Sequence, residues 1–152
     1  MVSGTVASGA VEQRDLLAAR ASVGVARRFV TGTLRGWGLE RYEEAAVAII
    51  SELATNAVEV SAPGETVRVH LSRREGELWL GVRDGAGGVR PVLREVVGSV
   101  EDLDASGADF GGWGLRLARH YADRFWVEAA DEPGCKWVCA AIDITRRGPC
   151  EA

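Results

Sequence analysis

The hydrophobic rhythm of this chain changes once, at Pro63-Gly64, and that change limits the folds open to it. Before it, apolar residues recur at helical spacing. Ser22 is placed to cap a first helix through "VGVARRFVTGTLR", which stops at Gly36 and Gly38. Val23, Ala26, Val30 and Leu34 form its apolar stripe. A second helix is predicted over residues 40–61 and ends at the Pro-Gly pair. Beyond the pair the period is two. "TVRVHLSRR" sets Val67, Val69 and Leu71 on one face with Arg68 and His70 opposite. "GELWLGVRD" repeats the pattern with Leu78, Leu80 and Val82, and Glu75-Gly76 makes the tight turn between them. After "DGAGG" comes a weakly patterned stretch, residues 89–110, of a length that usually signals a functional segment. A short helix follows the glycines of "GGWGLRLARHYA", and a hairpin of "RFWVEAA" and "KWVCAAIDI", turned at "DEPG", closes the chain. Two helices followed by antiparallel strand pairs predict an α+β two-layer sandwich, its mostly antiparallel sheet carrying helices on one face.

The 152 residues suffice for one domain and its core. Residues 1–14 are Gly/Ser-rich and without periodicity, and read as a loose N-terminus. Residues 15–145 read as the domain and 146–152 as a tail. A net charge of −4 gives no electrostatic case for nucleic acid or an anionic membrane. Cys135 and Cys139 lie four apart in a strand, about 13 Å, which exceeds the reach of a disulfide. With no apolar run of about 18 residues and no basic hydrophobic leader, the expectation is a reduced, cytoplasmic protein. His70 and His120 lack partners at metal-ligand spacing and read as surface residues, while Trp37, Trp79 and Trp126 read as packing residues.

Three local features break this ordinary pattern. In the second helix, "SELATNA" puts Glu52 and Asn56 one turn apart, about 40° from each other and bordering the side formed by Ile49, Ile50, Leu53, Ala57 and Val60. In the strand "GELWLGVRD" the alternation carries on to Asp84, which places a carboxylate on the core-facing side, where it needs a hydrogen-bond donor; the other reading is an exposed aspartate that caps a turn. In "GGWGLRL", residues 111–117, glycines open a helix whose free N–H groups suit a phosphate. This last motif fails the dinucleotide fingerprint, because Gly112 and Gly114 follow a loop rather than a strand, and it lacks the Gly-Lys-Ser/Thr of a P-loop.

In this order, "SELATNAV", "VRDGAGG" and "GGWGLRLA" resemble the GHKL ATPase superfamily with its Bergerat nucleotide-binding fold. Within it the chain looks most like the stand-alone anti-sigma factor/serine kinase family of bacteria, over residues 21–144. The resemblance implies that Asn56 coordinates the Mg²⁺ that bridges the phosphates of ATP, a role suited to a hard amide oxygen. It implies that Glu52 is the general base toward the attacking hydroxyl, and that Asp84 accepts a hydrogen bond from the adenine amino group. Gly88, Gly112 and Gly114, with Leu115 after them, match the ends of an ATP lid spanning residues 89–110. A lid that closes over the phosphates excludes water.

The likeness further implies a regulator that binds a sigma factor and phosphorylates a serine of an anti-anti-sigma (STAS-type) partner, with a homodimer as its oligomeric form. Arg27-Arg28 reads as a solvated helix face, and the likeness, which places the first helix at the partner surface, makes the pair a partner candidate as well. Three positions depart from the family pattern. Ala86 stands at the first glycine of Asp-x-Gly-x-Gly, Trp113 stands where relatives carry arginine, and Trp137 matches a threonine that helps hold adenine. An indole facing the pocket would fill part of the adenine space. The strand's alternation, with Val138, Ala140, Ile142 and Ile144 in the core, turns Trp137 away. An altered pocket leaves a second reading, a non-catalytic binding module that regulates transcription through protein contacts alone. A two-component sensor is the third and fits less well, because no phospho-acceptor histidine region precedes the domain.

Overall fold

The computed structural model describes residues 9–85 and 118–145. Among the described residues the sheet has five strands, in the order β1-β2-β3-β5-β4. These are β1 (Ala10–Leu17), β2 (Thr66–Arg74), β3 (Glu77–Arg83), β4 (Arg124–Ala129) and β5 (Lys136–Asp143). Every neighbouring pair runs antiparallel. Helices α1 (Ala21–Trp37) and α2 (Glu43–Val60) pack against each other. Helix α2 also lies against β2, β3 and β5, which gives the expected two-layer α+β sandwich.

The helix stripes and the strand alternation meet in one core. Val23, Ala26, Val30 and Leu34 of α1 and Ile49, Ile50, Leu53 and Ala57 of α2 are buried with Val67, Val69 and Leu71, with Leu78, Leu80 and Val82, and with Val138, Ala140 and Ile142. Each large aliphatic side chain here contributes about 1.5–3 kcal/mol relative to exposure. The register follows directly: Val69 pairs with Val82, and Val82 with Val138. Gly76, with φ 76°, takes the left-handed conformation in the β2–β3 turn, and Gly134, with φ 81°, does the same before β5.

Several boundaries differ from expectation. The N-terminal stretch is not loose as far as residue 14, because Ala10–Leu17 forms an edge strand on β2. It escaped notice because most of its side chains are exposed, so no alternation marks it. What fixes it is backbone pairing, helped by the bidentate contact of Arg68 with Asp15 at 2.6 and 3.1 Å. Helix α1 begins at Ala21, one residue before Ser22, with Arg20 at the cap position. The second helix divides into a 3₁₀ turn, Glu40–Tyr42, and α2. Among residues after the glycine-rich segment, 118–121 are helical. No helix among the described residues is long and apolar enough to cross a membrane.

Candidate functional site

Helix α2 carries the first part of the site. Glu52 is half-buried, and burial pushes its carboxyl above the usual carboxylate range. The Arg27 charge opposes that shift, and Glu59 adds to it. Arg27 is held close by: its Nε donates to Ser51 Oγ at 2.7 Å, and Ser51 Oγ donates in turn to the Val47 carbonyl at 2.7 Å. A carboxyl with a raised pKa suits a proton acceptor.

One turn on, Asn56 is 5% exposed. Its Oδ1 is buried and finds no hydrogen-bond partner among the described residues. An orphaned buried acceptor costs about 1–3 kcal/mol. Buried polar atoms are otherwise almost always satisfied, so such an atom marks a place where something else supplies the partner. A hard cation fits an amide oxygen. No cluster of three or more His, Cys, Asp or Glu able to hold a metal occurs among the described residues. Mg²⁺ does not require one, since it commonly takes one or two protein oxygens and fills its shell with phosphates and water.

The second part lies at the end of β3. Asp84 faces inward, 2% exposed, as the alternation predicts. Its N–H donates to the Lys136 carbonyl at 3.1 Å, and the Lys136 N–H donates to Asp84 Oδ1 at 3.2 Å. The Lys136 ammonium donates to Oδ2, which makes a buried ion pair. Ser61, just past α2, ties the two parts together by accepting from the Gly85 N–H at 2.7 Å. Asn56 lies five residues before Ser61, about 7.5 Å along the helix axis.

Lys136 is the residue that sequence reasoning missed. It is the only lysine of the chain and shares the inward register of Val138, Ala140 and Ile142, so an ammonium on a core face was there to be read. Trp137 takes the opposite face. Its indole meets the His70 ring edge-on at 5.8 Å, away from Asp84. The two readings of Trp137 are thus resolved in favour of the alternation. His70 is half-buried rather than a surface residue, and its Nδ1 lies 2.8 Å from the Gln13 side-chain nitrogen. On the same outer face, burial raises the Cys139 thiol to about 12, with Glu128 adding to it, so the thiol is no nucleophile. Of the positions singled out in the sequence, Ala86, Gly88, Gly112, Trp113, Gly114 and Leu115 lie outside the described residues.

A comparison with protein-family models matches residues 16–142 to the histidine kinase-like ATPase domain. The chain belongs to that family. The match runs from the end of β1 almost to the end of β5, so it takes in both helices and strands β2 to β5 but only the last two residues of β1. It supports a nucleotide-binding, GHKL-type ATPase domain, and the five-stranded sandwich agrees with it. A comparison with curated proteins returns no match.

Proposed function

We propose that this ATPase-family domain binds Mg-ATP between α2 and the β3 end and acts as a protein serine kinase of the anti-sigma type. The observation that carries the reading is the orphaned Asn56 Oδ1, one turn from a carboxyl whose pKa burial raises. Asn56 would hold Mg²⁺ with the phosphates, and Asp84 would accept from the base. Bound, ATP supplies a phosphoryl group to a serine hydroxyl, with ADP as the leaving group. Glu52 takes up the proton that the hydroxyl loses. Family membership supports nucleotide binding. The kinase role and the partners, a sigma factor and a STAS-type anti-anti-sigma protein held alternately by a cytoplasmic homodimer, rest on the likeness of "SELATNAV".

The deciding experiment is calorimetric titration with ATP, with and without Mg²⁺, on the intact protein and on Asn56→Ala. Binding that depends on Mg²⁺ and weakens at least tenfold in the variant is expected. Phosphotransfer to a serine of a candidate partner, lost in Glu52→Ala, then separates a kinase from a binding module. Absence of ATP binding at millimolar concentration would overturn both the nucleotide site and the kinase.

A further inference from the structure

Strand β1 forms one edge of the sheet, and no strand of the described residues pairs with its outer side. The Ala18 N–H donates to the Glu65 carbonyl at 2.8 Å, in line with the Leu17–Thr66 register. Bonded positions alternate along an antiparallel ladder. The even-numbered residues of β1 therefore bond β2, and the odd-numbered ones turn their N–H and C=O groups outward. The Leu17 carbonyl is already taken by the Ala19 N–H at 2.8 Å. Val11, Gln13 and Asp15 each keep an outward donor and an outward acceptor, spaced symmetrically about Gln13. Natural edges are commonly blunted by proline, lysine, a bulge or short length. Strand β1 runs for 8 residues in unbroken register and contains neither proline nor lysine.

The side chains point to a second copy of the same strand. Glu12 and Arg14 are exposed on the face toward α1, where the Arg14 guanidinium lies 5.1 Å from the Phe29 ring. An antiparallel copy centred on Gln13 sets Glu12 opposite Arg14 of that copy, and Arg14 opposite its Glu12. Opposite charges directly across a strand pair are favourable, and like charges are not. On the other face Val11 and Leu17, 51% and 62% exposed, are the exposed large hydrophobic residues among those described. The same register makes Val11 the diagonal neighbour of Leu17 in the second copy, within reach of contact. A groove of about 550 Å³ opens between β1 and α1, lined by Glu12, Arg14, Phe29, Gly32 and Gly36. A Cβ on Gly32 or Gly36 would meet nothing within 4 Å among the described residues, so the groove has room for the incoming Glu12 and Arg14.

We propose that two copies of this chain join through β1, antiparallel about a two-fold axis at Gln13, so that their sheets run on as one. Such a contact uses the same edge on both copies and therefore closes at the dimer. It names the surface of the homodimer put forward above and requires no nucleotide. The test is sedimentation equilibrium of the full chain. Glu12→Arg and Arg14→Glu each set like charges across the pair twice per dimer, and each should weaken self-association at least about tenfold. Mixed in equal amounts, the two variants should associate within about threefold of the unaltered dimer, because each then meets opposite charges. Val11→Pro removes an outward N–H that the single chain does not use, and should weaken association about tenfold with an unchanged circular dichroism spectrum. A dimer that these variants leave unchanged would overturn β1 as the interface and leave the homodimer standing. Weakening in both charge variants without recovery on mixing would overturn the pairing about Gln13. An unaltered chain that stays monomeric to about 100 μM would overturn interface and homodimer together, and would leave the nucleotide site untouched.

Discussion

His70 and Trp137 meet edge-on across the sheet face opposite the helices, with ring centroids 5.8 Å apart. Burial is the main reason that the imidazole titrates below its ordinary 6.5, and the neighbouring Arg74 charge acts in the same direction. The folded state thus binds fewer protons than the unfolded chain once pH falls below 6.5. Stability contributed by neutral His70 is whole above that pH and declines as pH drops toward the folded value. Urea unfolding across this window should show a shallower pH dependence in His70→Gln than in the unaltered protein. Parallel curves would mean that the imidazole is as well solvated in the native state as in the unfolded one.

The Asp84–Lys136 couple makes a thermodynamic prediction. Both side chains are under a tenth exposed, so replacing the lysine takes the ammonium away from a buried carboxylate. Lys136→Met should cost about 3–5 kcal/mol, while the double variant Asp84→Leu/Lys136→Met should recover most of that loss. A urea double-mutant cycle measures it. Additive losses would show that the two groups are solvated independently.

What the sequence made legible follows from periodicity. The α1 stripe, the faces of β2, β3 and β5, and the inward turn of Asp84 were all readable, because in each element the large aliphatic side chains repeat on the side that faces the core. Strand β1 was not readable. An edge strand exposed on both faces leaves no hydrophobic alternation, and its identity lies in backbone pairing with β2. His70 was misread for a related reason. Its strand position is outward, but Gln13 from β1 and Trp137 from β5 close over it, and neither neighbour is visible from local sequence. Lys136 shows the limit from the other direction. Its register was available from Val138 and Ala140, yet its pairing with Asp84 depends on the β3–β5 register, in which Arg83 meets Trp137.

Gly85 sits where the chain leaves β3 beside the start of β2, and the crowding there is a matter of distance. A Cβ at this position would lie 2.8 Å from Glu65 Cβ and 3.0 Å from the Thr66 carbonyl oxygen. The carbonyl belongs to the paired strand and cannot swing aside like a side-chain end. Gly85→Ala is therefore expected to destabilise by about 1–3 kcal/mol. It should also disturb the bond from the Gly85 N–H to Ser61, and with it the tie between α2 and Asp84. Thermal unfolding tests the first effect, and nucleotide titration of the folded fraction tests the second. An unchanged melting temperature would place the backbone further from β2 than these distances allow.

Asn56 separates stability from binding more sharply than any other residue of the site. Most buried side chains that are truncated lose packing and hydrogen bonds together. Leu53, one turn away from Ala57 and 1% exposed, should lose about 2–5 kcal/mol as Leu53→Ala. Asn56 is buried to a similar degree, but its Oδ1 makes no hydrogen bond among the described residues, so Asn56→Ala removes an acceptor whose desolvation nothing offsets. The small cavity and the relieved desolvation oppose each other, and the net change in unfolding free energy should stay within about 1 kcal/mol. The same substitution deletes the oxygen placed to ligate Mg²⁺, so Mg-dependent ATP affinity should fall at least tenfold. Urea unfolding and calorimetry on one preparation give both numbers. A loss above about 3 kcal/mol in stability would assign Asn56 to the core rather than to a ligand, because only a satisfied buried amide loses that much when it is removed.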